Sequence, residues 1–307
     1  MKCKKCDNQA VMAMKQHEMA LCADCYDKWF LEYTRRTINR FHMLTERDRV
    51  LVCVSGGKDS IAVWDVLVRL GYHVLPMHVT LGIPEYSEAS LSAVHELAEQ
   101  TGQDPVIVEV KNKLDFTIPE VAQYSPRSPC SACGAIKRHF MNRVAREHDC
   151  TVVATGHNLD DEASRLFMNT LSWDTEQLAH QQPVSPAVQG LVKKVRPFCF
   201  ISERQTAAYA IMRDLPWTRQ ECPHSSTANS NEYRYLLAQL EDNHPGIKRQ
   251  FYTHFLRERH RFENEEQLEL QQCNRCGMPT TCEICAFCRL VRQVQEAKAE
   301  AAAREGK

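Results

Sequence analysis

The cysteines constrain this chain more than any other feature. Of its 15, four fall in the first 25 residues as Cys3-x2-Cys6-x15-Cys22-x2-Cys25, and five lie between Cys273 and Cys288. Two C-x2-C pairs at such spacings bring four thiolates to one tetrahedral ion, the pattern of structural Zn²⁺. The C-terminal quartet reads as Cys273, Cys276, Cys285 and Cys288, although Cys282, three residues before Cys285, offers a second solution. His17 is not needed where four well-spaced thiols are present. We therefore expect two Zn²⁺-closed modules, residues 1–35 and 266–307, flanking a larger domain over 36–265. The opening MKCKKCDNQA has no apolar stretch of a secretory signal, and so many thiols without export point to metal or catalysis rather than disulfides. A cytoplasmic location is expected.

The central span alternates strand-like and helix-like patterns. Apolar runs at Arg49–Val54, His73–Val79, Val106–Val110, Thr151–Thr155 and Lys194–Phe198 read as strands. Helical periodicity covers Ser60–Leu70, Ser87–Thr101, Ser131–His148 and Asp161–Ser172. This order predicts an α/β fold with a doubly wound parallel sheet, whose ligands sit beyond the carboxyl ends of the strands. After Cys222 only helices are expected (Asn229–Asn243, then Gly246 to about Arg261), followed by a polar linker over Glu263–Gln272. The Ala/Glu/Lys-rich tail from Gln293 is expected to be an exposed, frayed helix. With 307 residues and 43% hydrophobic content the chain can bury a sizeable core. It has no apolar run of membrane-spanning length, so no membrane partner is expected. Its 38 basic and 39 acidic residues nearly cancel, so any nucleic-acid contact has to be a local basic patch.

The sharpest chemical signal is Ser55-Gly56-Gly57-Lys58-Asp59-Ser60, set between a strand and a helix. Two glycines let backbone N–H groups turn toward an anion, and the following helix N-terminus adds partial positive charge. It is not a Walker A loop, because Val52 stands where that motif needs its first glycine. After the fourth expected strand comes Thr155-Gly-His-Asn-Leu-Asp-Asp-Glu162. Its adjacent carboxylates Asp160 and Asp161 suit Mg²⁺, or simply the first turn of a helix. Cys130 and Cys133 open a helix in Pro129-Cys-Ser-Ala-Cys-Gly-Ala-Ile-Lys-Arg138, and Cys222 follows in Glu-Cys-Pro-His224. Three thiolates suit a [4Fe–4S] cluster with one iron left free. A persulfide pair, a zinc completed by His224 and a simply packed C-x2-C are the other readings. Cys53, Cys150 and Cys199 lie in apolar contexts and read as core thiols.

Together these motifs resemble the PP-loop ATP-pyrophosphatase family, and within it the tRNA 2-thiouridine synthetases of the TtuA-like type, whose terminal cysteine modules and Leu-Glu-x3-Pro-Gly segment (here Leu240–Gly246) match as well. The resemblance selects Cys285 and Cys288 for the second zinc, leaving Cys282 as a departure. It implies ATP bound against Cys53, Ser55, Gly56, Gly57, Lys58, Asp59, Ser60, His78, Val79, Gly156 and Asp160, with Lys137 and Asp161 catalytic and a [4Fe–4S] cluster on Cys130, Cys133 and Cys222. The implied reaction adenylates the C2 oxygen of a tRNA uridine and replaces it with sulfide. Persulfide-based thiolation without a cluster, or a PP-loop ligase or amidotransferase, are the alternatives. The sulfur donor would be a ubiquitin-like thiocarboxylate protein or free sulfide, and the assembly a homodimer. Ala228-Asn-Ser-Asn231 lacks the basic residue expected there by the same comparison. Basic groups at Arg35/Arg36/Arg40, Arg143/Arg146, Lys193/Lys194/Arg196 and Arg257/Arg259/Arg261 read first as solvated faces.

Overall fold

The computed structural model describes residues 1–224, 230–262 and 270–305. The chain opens with an antiparallel hairpin, β1 (Met12–Met14) and β2 (Met19–Leu21), that leads into α1 (Ala23–Arg40). Cys22 occupies the N-cap position of this helix and Cys25 lies in its first turn, so two cysteines of the expected zinc module also start the helix. Tyr26, Trp29, Phe30 and Ile38 recur at helical spacing and are buried, which ties the N-terminal module to the domain behind it. The expected boundary at residue 35 falls inside α1.

Six strands build the central sheet: β3 (Arg49–Cys53), β4 (His73–Thr80), β5 (Val106–Glu109), β6 (Val152–Thr155), β7 (Val184–Ser185) and β8 (Lys193–Val195), in the order β5-β4-β3-β6-β8-β7. All neighbours run parallel except the edge pair β7–β8, an antiparallel addition to the expected doubly wound sheet. The crossover helices are α2 (Lys58–Arg69), α3 (Tyr86–Thr101), α4 (Val110–Leu114), α5 (Ile118–Tyr124), α6 (Pro129–Glu147), α7 (Leu159–Leu171) and α8 (Thr175–His180). Then come α9 (Glu203–Met212), α10 (Ser230–Asn243) and α11 (Ile247–Glu258), a short ribbon of β9 (Gln271–Gln272) and β10 (Pro279–Thr280), and α12 (Ala286–Glu305). The period-2 side-chain alternation of β3 divides the interior in two. Val50, Val52 and Val54 join Phe30, Trp64 and Tyr209 in one core, whereas Leu51 joins Met77, Ile136 and Phe140 in the other.

Two expectations are corrected here. The fifth strand is Lys193–Val195, shorter than Lys194–Phe198 and displaced toward the N-terminus. The C-terminal tail from Gln293 is largely exposed, as expected, but it is anchored at its start: α12 begins at Ala286 and buries Leu290 and Val294 in the second core, against α5 and α6. The Ala/Glu/Lys content masks an apolar i, i+4 stripe. Of the expected polar linker, residues 263–269 lie outside the described residues, as do Ala228 and Asn229. Among the described residues, no helix is long and apolar enough to cross a membrane.

Candidate nucleotide and thiol site

The carboxyl ends of β3 and β6 carry the loops that build the site. Gly56 takes φ +83°, and a Cβ there would lie 2.7 Å from the Ser90 backbone, so only glycine lets the loop pass α3. A Cβ on Gly156 would lie 2.7 Å from the Ser60 nitrogen and 2.8 Å from the Asp59 carbonyl. The two loops are thus in backbone contact. Within the first, the Ser60 hydroxyl accepts from Ser55 N at 3.0 Å, lies 3.1 Å from Ser55 Oγ and donates to Gly57 O at 2.8 Å. Asp59 is held by Lys58 and by Asn158 Nδ2 at 3.2 Å, and burial raises its pKa.

A cavity of about 300 Å³ opens over these loops, lined by Cys53, Ser55, Asp59, Ser60, Val79, Lys137, Thr155, Gly156, His157 and Asp161 among others. The expected nucleotide residues Cys53, Ser55, Asp59, Ser60, Val79 and Gly156 therefore share one wall. Burial pushes the Cys53 thiol up to about 12, which suits a packing role. His78 lies just behind the wall. It is buried, pairs through Nδ1 with Val54 O at 2.8 Å, and burial lowers its pKa to about 4.

The structure separates the two adjacent carboxylates. Asp161 lines the cavity; its Oδ2 accepts from Asn158 N at 2.9 Å and its Oδ1 pairs with Arg234. Asp160 points the other way, into a neighbouring polar hollow, where it takes Lys248 Nζ at 2.5 Å and Glu203 N at 2.8 Å. Successive residues of a helix project about 100° apart, so one of the pair faces the site and its neighbour ties α7 to α9 and α11.

Helix α6 joins the cavity to the thiols. Ser128 caps it, accepting from Ser131 N at 3.3 Å, and Pro129 occupies its first turn. Cys133 and Lys137 lie one turn apart on α6. Lys137 borders the cavity, and its charge reaches both Cys133 and Cys53. Burial raises the Cys133 thiol, Lys137 opposes the rise, and Cys222 and Cys130 add to it, so both other thiols lie near Cys133. Cys130 donates to His224 O at 3.1 Å. Gly134 leaves room for the Arg138 guanidinium, which packs over it at 3.0 Å from where a Cβ would stand.

The terminal quartets are tighter. Among the described residues, only Cys3/Cys6/Cys22/Cys25 and Cys273/Cys276/Cys285/Cys288 bring three or more potential metal ligands within 4.8 Å of one another. Cys6 Sγ lies 3.5 Å from Cys22 Sγ and 3.7 Å from Cys25 Sγ, and Cys276 Sγ lies 3.7 Å from Cys285 Sγ. A tetrahedron with Zn–S bonds of about 2.3 Å has edges of about 3.8 Å, so both quartets fit that ion. Backbone N–H groups of Lys5, Cys285 and Cys288 point at the sulfurs. Cys282 stands outside, exposed, beside Arg289. The cysteine trio is not drawn together to single-ion distances. Three thiolates are the donor set that suits a [4Fe–4S] cluster with one iron left open.

Three residues at the site were not expected. His157, within the quoted motif, lines the cavity while remaining exposed and lies 2.8 Å from Thr155 Oγ1, with the cations Arg165, Arg196, Arg234 and Lys137 around it. Arg234 and Glu203 sit at the rim, and no local motif marks either. Of the basic clusters, Arg35 and Arg36 pair with Glu32, Arg143 with Glu147 and Arg261 with Glu258, as solvated faces do.

Comparisons with known proteins agree with this geometry. The model of the PP-loop domain matches residues 31–241, and that of the 2-thiouridine synthetase TtuA N-terminal LIM domain matches residues 2–27. The chain is 45% identical to tRNA-5-methyluridine(54) 2-sulfurtransferase of Thermus thermophilus, over 94% of this chain and 91% of that one. It is 39% identical to the protein of the same name from Pyrococcus horikoshii, over 94% and 93%. The solved structure of U34-tRNA thiolase NcsA from Methanococcus maripaludis, with its [4Fe-4S] cluster, superposes with a TM-score of 0.81 at 29% identity, over 95% of this chain and 96% of that one.

Proposed function

From the premise that this chain belongs to the PP-loop family, among its TtuA-like tRNA thiouridine synthetases, we propose that it is an ATP-dependent tRNA sulfurtransferase that replaces the C2 oxygen of 5-methyluridine 54 with sulfur. The position follows the two relatives at 45% and 39% identity, whose names specify residue 54. One observation carries the chemistry: Lys137 borders the nucleotide cavity and stands one helical turn from Cys133, so activation and sulfur delivery share a wall.

In this reading the Ser55–Ser60 loop holds the ATP phosphates by its N–H groups, and Asp161 faces Mg²⁺. The uridine C2 oxygen attacks the α-phosphorus and pyrophosphate leaves, with Lys137 stabilising the charge that develops on the phosphate oxygens. Sulfide then adds at C2 and AMP departs with the original oxygen, with no net redox change. Cys130, Cys133 and Cys222 would hold a [4Fe–4S] cluster, as the NcsA neighbour carries one, and its chemistry is an iron with an open position able to hold sulfur. The two quartets hold Zn²⁺ as structural ions. A ubiquitin-like thiocarboxylate protein or free sulfide is the donor, and the working unit is a homodimer in the cytoplasm.

The test is thiolation by anaerobically reconstituted protein of a tRNA carrying 5-methyluridine 54, with Mg-ATP and sulfide, read by nucleoside mass spectrometry and AMP release. We expect one AMP per 2-thio group, at position 54. AMP formation without sulfur incorporation overturns thiolation, and sulfur at position 34 overturns the site assignment. Zinc without iron after anaerobic reconstitution shifts the case to persulfide chemistry at the same cysteines.

A further inference from the structure

The rim of the cavity carries a charge arrangement that the reaction above leaves unused. Glu203, in the first turn of α9, bridges two cations: Lys58 Nζ lies 2.7 Å from its Oε1, and Arg234 lies 3.8 Å from its Oε2. Lys58 belongs to the phosphate loop itself. Arg234 comes from α10 and also pairs with Asp161, the carboxylate that lines the cavity. Among the described residues the buried Arg234 Nε–H finds no hydrogen-bond partner, so within them the guanidinium keeps a donor uncommitted. The Glu203 backbone is pinned by its N–H bond to Asp160, while its side chain, 42% exposed, is held only by the two cations. One carboxylate shared by two cations at the end of a phosphate loop occupies the electrostatic place of a phosphate group.

We propose that Arg234 is a phosphate-binding residue of the nucleotide site and that Glu203 is its built-in competitor, which releases Lys58 and Arg234 when nucleotide arrives. Helix α10 begins at Ser230, eight residues beyond Cys222, so this cation and the third thiol sit on one short stretch of chain. Nucleotide phosphate that draws Arg234 to itself also frees Asp161 for Mg²⁺. An ordinary ion-pair network that merely fastens α9 to α10 uses the same contacts but makes a different prediction.

The inference rests on the ATP-using reading, and one experiment separates the two. Mg-ATP is titrated calorimetrically into the full-length zinc-bound protein as wild type, Arg234→Gln, Arg234→Lys and Glu203→Gln, with melting temperatures recorded alongside. We expect about tenfold weaker binding for Arg234→Gln, a smaller loss for Arg234→Lys, which keeps the charge but not the planar fork, and several-fold tighter binding for Glu203→Gln. The opposite signs are diagnostic, because damage to a structural ion pair moves both variants the same way. Equal affinities, or losses in both Arg234→Gln and Glu203→Gln, overturn the inference. Absence of Mg-ATP binding by the wild type overturns the nucleotide reading itself.

Discussion

The terminal quartets and the central trio use the same side chain for opposite ends. Each quartet gathers four thiols within 4.8 Å from a short stretch of chain, with backbone N–H groups aimed at the sulfurs. Such a site is coordinatively complete and serves folding. The trio takes two thiols from the start of α6 and a third from Cys222, after α9, and it stays wider and half-exposed beside Lys137. A metal group with one position unfilled by protein can take part in chemistry, so under the proposed function the missing fourth cysteine is what would separate the trio from the quartets.

The largest break of this contrast is Cys273→Ser. We expect loss of one of two zincs, unfolding of the last module and a melting temperature lower by on the order of 10 °C, checked by metal analysis and calorimetry. Cys222→Ala should do the reverse: both zincs and the melting temperature stay, while iron binding and sulfur transfer fall below detection. Lys137→Ala, between the two metal-binding regimes, should lower thiolation by about 10²–10³-fold with metal content unchanged, measured under single-turnover conditions. A smaller effect concerns pH. Burial holds His78 and His139 neutral in the folded chain, each with a pKa near 4, whereas both protonate near 6.5 once unfolded. Their contribution to stability is complete above about pH 6.5 and is lost as pH falls toward 4, by up to about 1.4 kcal/mol per pH unit for each histidine. Denaturant titrations of His78→Gln between pH 7 and 4.5 should show a shallower slope. Cys282→Ser, outside the quartet, should change neither zinc content nor thiolation.

Much of this was legible because it is local. Ser55–Ser60 and the two C-x2-C quartets are short patterns whose geometry follows from neighbouring residues, and strand–helix alternation fixed the sheet around them. What escaped depends on distance or direction. Asp160 and Asp161 look equivalent in one dimension, but the helical turn sends one to Lys248 and the other to the cavity. Arg234 reaches Asp161 across 73 positions, and no periodicity announces such a contact. The anchor of the final helix was missed because composition outweighed spacing: Leu290 and Val294 form an apolar stripe at the head of a polar, alanine-rich and largely exposed run.

That last helix has a consequence for how the molecule breathes. Phe287, between Cys285 and Cys288 of the C-terminal quartet, stacks on His139 of α6 with ring centroids 3.6 Å apart, and Leu290 and Val294 complete the core beneath the same helix. The C-terminal module and the helix that presents Cys130, Cys133 and Lys137 therefore share one packed core, and such packing couples their local opening. We expect amide protons in α6 and α12 to exchange with solvent at a shared slow rate, and removal of an ion from the C-terminal quartet to quicken both. An ion that never meets the substrate would then govern how well Cys130 and Cys133 are shielded.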